Sequence, residues 1–175
     1  MMILPNKDLY NKKHIEARRS IMAKLRAADF YYGAVLSNLV NKGICPMLVL
    51  DGIDRQVYKC TTHDDHFLLF LKYRSAPNNT KSVGYQSWHF VLSPNDTTEL
   101  REYITQDTKL SVGLICGGKK LSDSEYAILH KNEITTILGL GKGTITISRK
   151  NPVEYHISIG RGKTQNIIIN TDRIC

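Results

Sequence analysis

The stretch from Cys60 to Arg74, CTTHDDHFLLFLKYR, holds the densest group of side chains able to do chemistry in the chain. Cys60, His63 and His66 form C-x2-H-x2-H with Asp64 and Asp65 interleaved, and all five are residue types that zinc accepts. Three ligands within seven residues meet one ion only where the chain turns tightly, and no second ligand pair of matching spacing exists elsewhere. A closed four-ligand shell is therefore absent, a structural zinc is not expected, and the segment reads as an exposed hairpin turn. The apolar run that follows reads as a strand ending in Lys72 and Arg74. A second candidate, GLGKGT at Gly139–Thr144, lacks the GxxxxGK[ST] spacing. It also follows a helix pattern and enters a strand, the reverse of the order that places phosphate at a helix N-terminus, so ATP or GTP binding is not expected.

The charge pattern names a different chemistry. The formal net charge is +8, and it lies at the two ends of the chain. Residues 1–26 carry seven basic and two acidic side chains, residues 142–175 six and two, and residues 27–141 eleven and twelve. Such asymmetry suits a polyanion-binding surface. The contacts it predicts are Arg18, Arg19 and Arg26 on a first helix, Arg74 at a strand end, and Arg149, Lys150, Arg161 and Lys163 in a C-terminal region where Gly162 between two cations lets backbone approach phosphate. Trp88, Tyr31, Tyr32 and Tyr85 follow no regular spacing, which disfavours a stacking platform of the oligonucleotide-barrel kind.

The elements that position these residues follow from periodicity. Ile21, Leu25, Ala28, Tyr32, Val35 and Leu39 recur at steps of three and four, predicting a long helix over 11–41, with Gly43 at its C′ position and Gly33 as a possible bend. PMLVLDG, RQVYKCTT, HFLLFLKYR and SWHFVLSP read as strands, the first of them buried, with DGID as a turn. NDTTELREYI reads as a short helix capped by Asn95 or Asp96 with Glu99 completing a capping box. LSVGLICGG reads as a strand buried on both faces. SDSEYAILHKNEITTIL reads as one or two short helices, with Ser122 and Glu125 forming a capping box and Gly139 stopping the run. TITISRK, YHISIGR and NIIINTDR close the chain as an antiparallel meander. At 175 residues and 42% hydrophobic composition, this predicts one domain over 1–175 of α/β (α+β) class. It has a long N-terminal helix, a central mixed sheet with flanking helices over 11–118, and a helical segment plus basic meander over 119–175. Four scattered cysteines without a CxxC pair, no apolar run near the ~20 residues of a membrane helix, and an opening MMILPNKD too short for a signal peptide predict a soluble cytoplasmic protein with reduced thiols.

Helix, strand, strand, strand, helix, strand over 11–118, with Lys72 near the end of the third strand, resembles the restriction-endonuclease-like fold and its PD-(D/E)XK nucleases. The resemblance implies Mg²⁺ held by two carboxylates, with the lysine assisting an attacking water. It casts Lys72, Asp54 and Asp65 as catalytic and Asp51, Asp54 and Asp65 as metal ligands, with Asp51, Asp54, Asp64 or Asp65 as the first aspartate. The acid of the motif falls on Phe70, which cannot ligate Mg²⁺, so an acid from a neighbouring element, such as Asp65 or Glu16, is required. The expectation is a nucleic-acid-binding protein, its partner DNA, of the size of a nuclease or accessory factor of a mobile element or of antiphage defence. The alternative is a non-catalytic, antitoxin-like interaction module that dimerises through Tyr31, Tyr32 and the first helix.

Overall fold

The computed structural model describes residues 25–52, 54–79, 83–106, 108–150, 154–158 and 166–173. Their order is α1 (Ala27–Asn41), β1 (Cys45–Asp51), β2 (Arg55–Thr61), β3 (His66–Arg74), β4 (Gln86–Val91), α2 (Pro94–Thr105), β5 (Leu110–Cys116), a 3-10 turn (Leu121–Asp123), β6 (Glu125–His130), α3 (Lys131–Gly139), β7 (Thr144–Arg149), β8 (Glu154–Ser158) and β9 (Asn166–Asn170). This is an α+β fold with two sheets among the described residues. One is mixed, in the order β1-β2-β3-β5-β6, and the other is antiparallel, in the order β4-β7-β8-β9.

Helix α1 begins where the Arg26 N–H donates to Asp29 Oδ2 at 2.7 Å. It ends in a Schellman arrangement: Gly43, at φ +77°, bonds Val40 O, and the Ile44 N–H reaches back to Leu39 O. Only glycine takes that left-handed angle without strain. Ala28, Tyr32, Val35 and Leu39 are buried as the spacing predicts, joined by Tyr31, and the helix runs unbroken through Gly33. Leu25 departs from the expectation: it precedes the helix and is 71% exposed. The predicted turns over 11–24, with Ile21, lie outside the described residues.

β1, β2 and β3 form an antiparallel meander, and β5 lies parallel to β3, which requires the crossover through β4 and α2. The five-stranded sheet is covered on both faces. Tyr58, Leu69, Leu71, Ile115 and Ile128 face α1, while Val57, Phe70, Val112, Leu114 and Leu129 face α2, α3 and the second sheet. Double coverage is why all seven residues of β5 are buried. β1 is the exception to the expected buried strand: it is the edge of the sheet, with Met47, Leu48 and Val49 exposed.

The segment 125–130 corrects a second expectation, since it is a strand and not the start of a helix. β5 needs an outer neighbour, and EYAILH supplies it in register from Cys116↔Glu125 to Ser111↔His130. Tertiary pairing here overrides a helical local pattern. Helix α3 then starts at Lys131, with the His130 N–H donating to Glu133 Oε2 at 2.6 Å. Pairing also crosses the expected division at residue 118. β6 completes the first sheet, and β4 pairs with β7 of the meander.

Candidate nucleic-acid interface and the Lys72 network

Side chains alternate across β3, so Phe70, Lys72 and Arg74 share the face toward α2 and the second sheet. Phe70 is fully buried among Val57, Leu100 and Val112 and is purely a core residue. Lys72, only 5% exposed, cannot reach solvent along its stem. Its Nζ instead donates to Asp54 Oδ2 and to Asp96 Oδ2, each at 2.9 Å. Asp54 ends the turn before β2, where Arg55 and Lys72 are cross-strand partners, so register alone brings it to the lysine. The hydrogen bond from Lys72 holds the Asp54 carboxyl below its ordinary range.

Asp96 comes from α2. Ser93 is the N-cap of that helix and Pro94 its first residue, with the Asp96 N–H donating to Ser93 Oγ and the Ser93 N–H to Asp96 Oδ2. The cap is thus Ser93, not Asn95 or Asp96, and the box is completed by Asp96, not Glu99. Glu99 is free to do something else: its Oε2 accepts from Arg55 Nε at 3.0 Å and from the guanidinium NH2 at 2.7 Å, while Oε1 accepts from the Tyr103 hydroxyl at 2.6 Å. Arg55 Nε also lies 3.1 Å from Asp96 Oδ1. That contact is an ion pair without hydrogen-bond alignment, because the N–H points at Glu99, and Asp96 Oδ1 has no hydrogen bond among the described residues. Burial and the bond to Glu99 raise the Tyr103 hydroxyl above its ordinary range.

Other predicted site residues go elsewhere. Asp65 sits at the opposite end of the β2–β3 hairpin, paired with Lys109. The ladder from Arg55↔Lys72 to Thr61↔His66 separates it from Lys72 by ~20 Å at strand rise. It cannot join Asp54 and Lys72 in one catalytic trio. Asp51 accepts from Gln56 Nε2 at 2.8 Å and faces Arg26, and Asp64 pairs with His63 at the exposed turn. Of the zinc-type residues, Cys60 points into the core, whereas His63 and His66 are exposed. Glu16 lies outside the described residues.

A Mg²⁺ ion takes about six oxygen ligands at about 2.0–2.1 Å and keeps several waters. The point between the Asp54 and Asp96 carboxylates is filled by the Lys72 ammonium, Asp96 has no exposed surface, and its second oxygen faces Arg55. Asp54, with a side chain 66% exposed, is the one carboxylate of the pair that offers an oxygen to solvent. The residues present do not fit a two-carboxylate Mg²⁺ clamp. Among the described residues no three His, Cys, Asp or Glu side chains are arranged to hold a metal ion.

Comparison with protein-family models, curated proteins and solved structures found no match.

The cationic residues divide by what holds them. Arg26 is taken by Asp29 and Asp51, and Arg149 by Glu125 at 2.6 Å, which also accepts from the Tyr155 hydroxyl. Arg18, Arg19, Arg161 and Lys163 lie outside the described residues. Arg74 and Lys150 are exposed and pair with no carboxylate among the described residues, and so is Lys119, which sequence reasoning missed. Gly117 brings the loop of Lys119 against the end of β3. Its N–H donates to Arg74 O at 2.7 Å, and a Cβ there would lie 2.3 Å from Ser75 O, so only glycine permits the approach. Arg74, Lys119, Arg149 and Lys150 therefore collect where β3, β5 and β7 end.

Two concavities open there. One, of about 270 Å³, is lined by Asp54, Lys72, Arg74, Ser75 and His89. The other, of about 500 Å³, is lined by Asn78, Asn79, Tyr85, Gln86, Lys119 and Arg149. His89 Nδ1 lies 3.0 Å from Thr146 Oγ1, which fixes its ring on the exposed side of β4. A sequence signal for Asp96 did exist in Ser93-Pro94-x-Asp96, a capping box with proline in its first turn. Nothing local marked it as the partner of Lys72.

Proposed function

We propose that this chain is a nucleic-acid-binding protein that contacts phosphates with Arg74, Lys119 and Lys150. In this reading its scaffold is of the restriction-endonuclease-like kind, with the motif lysine committed to an internal ion bridge. The order α1, β1, β2, β3, α2, β5, with β4 as an insertion, supports the scaffold. The observation that carries the reading is the gathering of Arg74, Lys119 and Lys150, exposed and without carboxylate partners among the described residues, at one end of the two sheets. Cations left unpaired there cost nothing in water and are free to displace counterions from a phosphate backbone.

Lys72 has no such freedom. Asp96 occupies the role that Phe70 vacates, but as a buried partner and not as an open ligand. The proposed activity is therefore retention of DNA without metal-dependent cleavage. A mobility-shift titration of a labelled duplex at low salt tests it. Retention by the wild type and markedly weaker retention by Arg74→Glu/Lys119→Glu/Lys150→Glu is the expected result. No retention, or Mg²⁺-dependent cleavage that Lys72→Met abolishes without unfolding the protein, would overturn the reading.

The interaction-module alternative loses its original face, because Tyr31 and Tyr32 are buried against the sheet. Tyr31 stacks on Tyr73 with ring centroids 5.1 Å apart, and Tyr32 meets Tyr73 edge-on at 5.6 Å. What favours a protein partner instead is the exposed edge strand β1 with its Met47–Val49 run, since sheet edges with apolar side chains pair readily. Light scattering across a concentration series separates this reading: a dimer that Val49→Lys converts to monomer would support it, and a monomer throughout would not. No helix among the described residues is long and apolar enough to cross a membrane.

A further inference from the structure

The 500 Å³ concavity lined by residues 77–79 and 84–86 on one side and by Lys119 and Arg149 on the other has the chemistry of a nucleotide subsite. Its size falls within the range of about 300–1,000 Å³ typical of small-ligand pockets. Three carboxamides, Asn78, Asn79 and Gln86, supply both donors and acceptors, Tyr85 supplies an aromatic face, and Lys119 and Arg149 supply positive charge. Among the described residues no carboxylate lines it. Asn78 is fixed in place: its backbone N–H donates to Ser87 O at 2.7 Å and its Nδ2 to Ser87 Oγ at 3.2 Å. Arg149 is likewise held in position by Glu125. The side chains of Asn79, Tyr85 and Gln86 have no hydrogen-bond partner among the described residues. A half-exposed tyrosine and two amides without partners among the described residues, beside the unpaired Lys119, form a polar wall ready for a ligand that carries both a base and a phosphate.

We propose that this concavity takes one unstacked nucleotide of a single-stranded nucleic acid. The base lies against Tyr85 with its edge toward the carboxamides, and its phosphate lies at Lys119. The assignment rests on the nucleic-acid reading and sharpens it to a single-stranded or locally opened substrate. Stacking on one ring suits a single base and no longer run, because Trp88, Tyr31 and Tyr32 are all buried.

Fluorescence polarisation with a labelled single strand, and with the same sequence as a duplex, tests this in the full-length protein. Loss of one base–aromatic contact lowers affinity roughly fivefold to a hundredfold. Tyr85→Ala is therefore expected to weaken single-strand binding about tenfold while leaving duplex binding within about twofold. Tyr85→Phe, which keeps the ring, retains most of the affinity, and Asn79→Ala weakens single-strand binding in the same direction. Thermal melts that match the wild type exclude unfolding as the cause. If the wild type binds but Tyr85→Ala and Asn79→Ala change nothing, or change both substrates alike, the subsite falls and the broader reading stands. If the wild type binds neither substrate, both fall.

Discussion

Replacing Asp96 with alanine is predicted to destabilise the protein far more than the same change at Asp54, although both carboxylates hydrogen-bond Lys72 at 2.9 Å. The difference lies in burial. Asp96 has no exposed surface, and Lys72 and Arg55 sit against it under α2. Its removal leaves a buried ammonium with one solvent-facing partner, and breaking a buried pair in this way costs about 3–5 kcal/mol. The same change strips the acceptor from the Ser93 N–H, worth about 1 kcal/mol more. Asp54, two-thirds exposed, behaves as a surface partner and its removal costs no more than about 1 kcal/mol. Against a total stability of about 5–15 kcal/mol, Asp96→Ala stands near the edge of folding. Urea titration followed by the fluorescence of Trp88, the single tryptophan and 1% exposed, reads both variants directly. Equal losses at the two positions, or a loss below about 1 kcal/mol for Asp96→Ala, would refute the buried-network account.

The depressed Asp54 carboxyl makes a stabilising contribution that is present above its unfolded value near 3.8 and lost as pH falls through its lower folded value. An acid titration of stability is thus expected to steepen below about pH 4, and Asp54→Asn to flatten that limb; an unchanged limb would contradict the Lys72–Asp54 bond. Burial pushes the Cys60 thiol up to about 11 and raises Cys116 as well, while Cys45 is exposed. In a Cys175→Ser background one thiol should react quickly with a disulfide probe and two only on unfolding, with Cys45→Ser removing the fast phase.

Much of this fold was legible because its patterns are local. The Tyr32–Val35–Leu39 spacing and Gly43 define α1 and its end, the HFLLFLKYR run defines β3, and the alternating C-terminal strands form the expected meander. The segment 125–130 was not legible, because its state is decided by pairing with β5 across the sheet. The site divides in the same way. Asp54 and Lys72 meet through hairpin register, which sequence approaches; Asp96 meets them through the docking of α2, which it does not. Asp65 was misplaced because nearness to Lys72 in sequence becomes distance along an extended strand. The charge excess at the two chain ends was visible, but which cations stay free depends on Glu125, Asp29 and Asp51, whose pairings are tertiary.

The most direct test of the central claim is the salt dependence of duplex binding, measured from low to physiological ionic strength with and without Mg²⁺. Each phosphate contact contributes about 0.9 to the slope of log K against log salt. The account predicts that Arg74→Glu/Lys119→Glu/Lys150→Glu lowers that slope by about 3, and that the wild-type duplex stays intact whether or not Mg²⁺ is present. An unchanged slope, or cleavage on adding Mg²⁺, would contradict it.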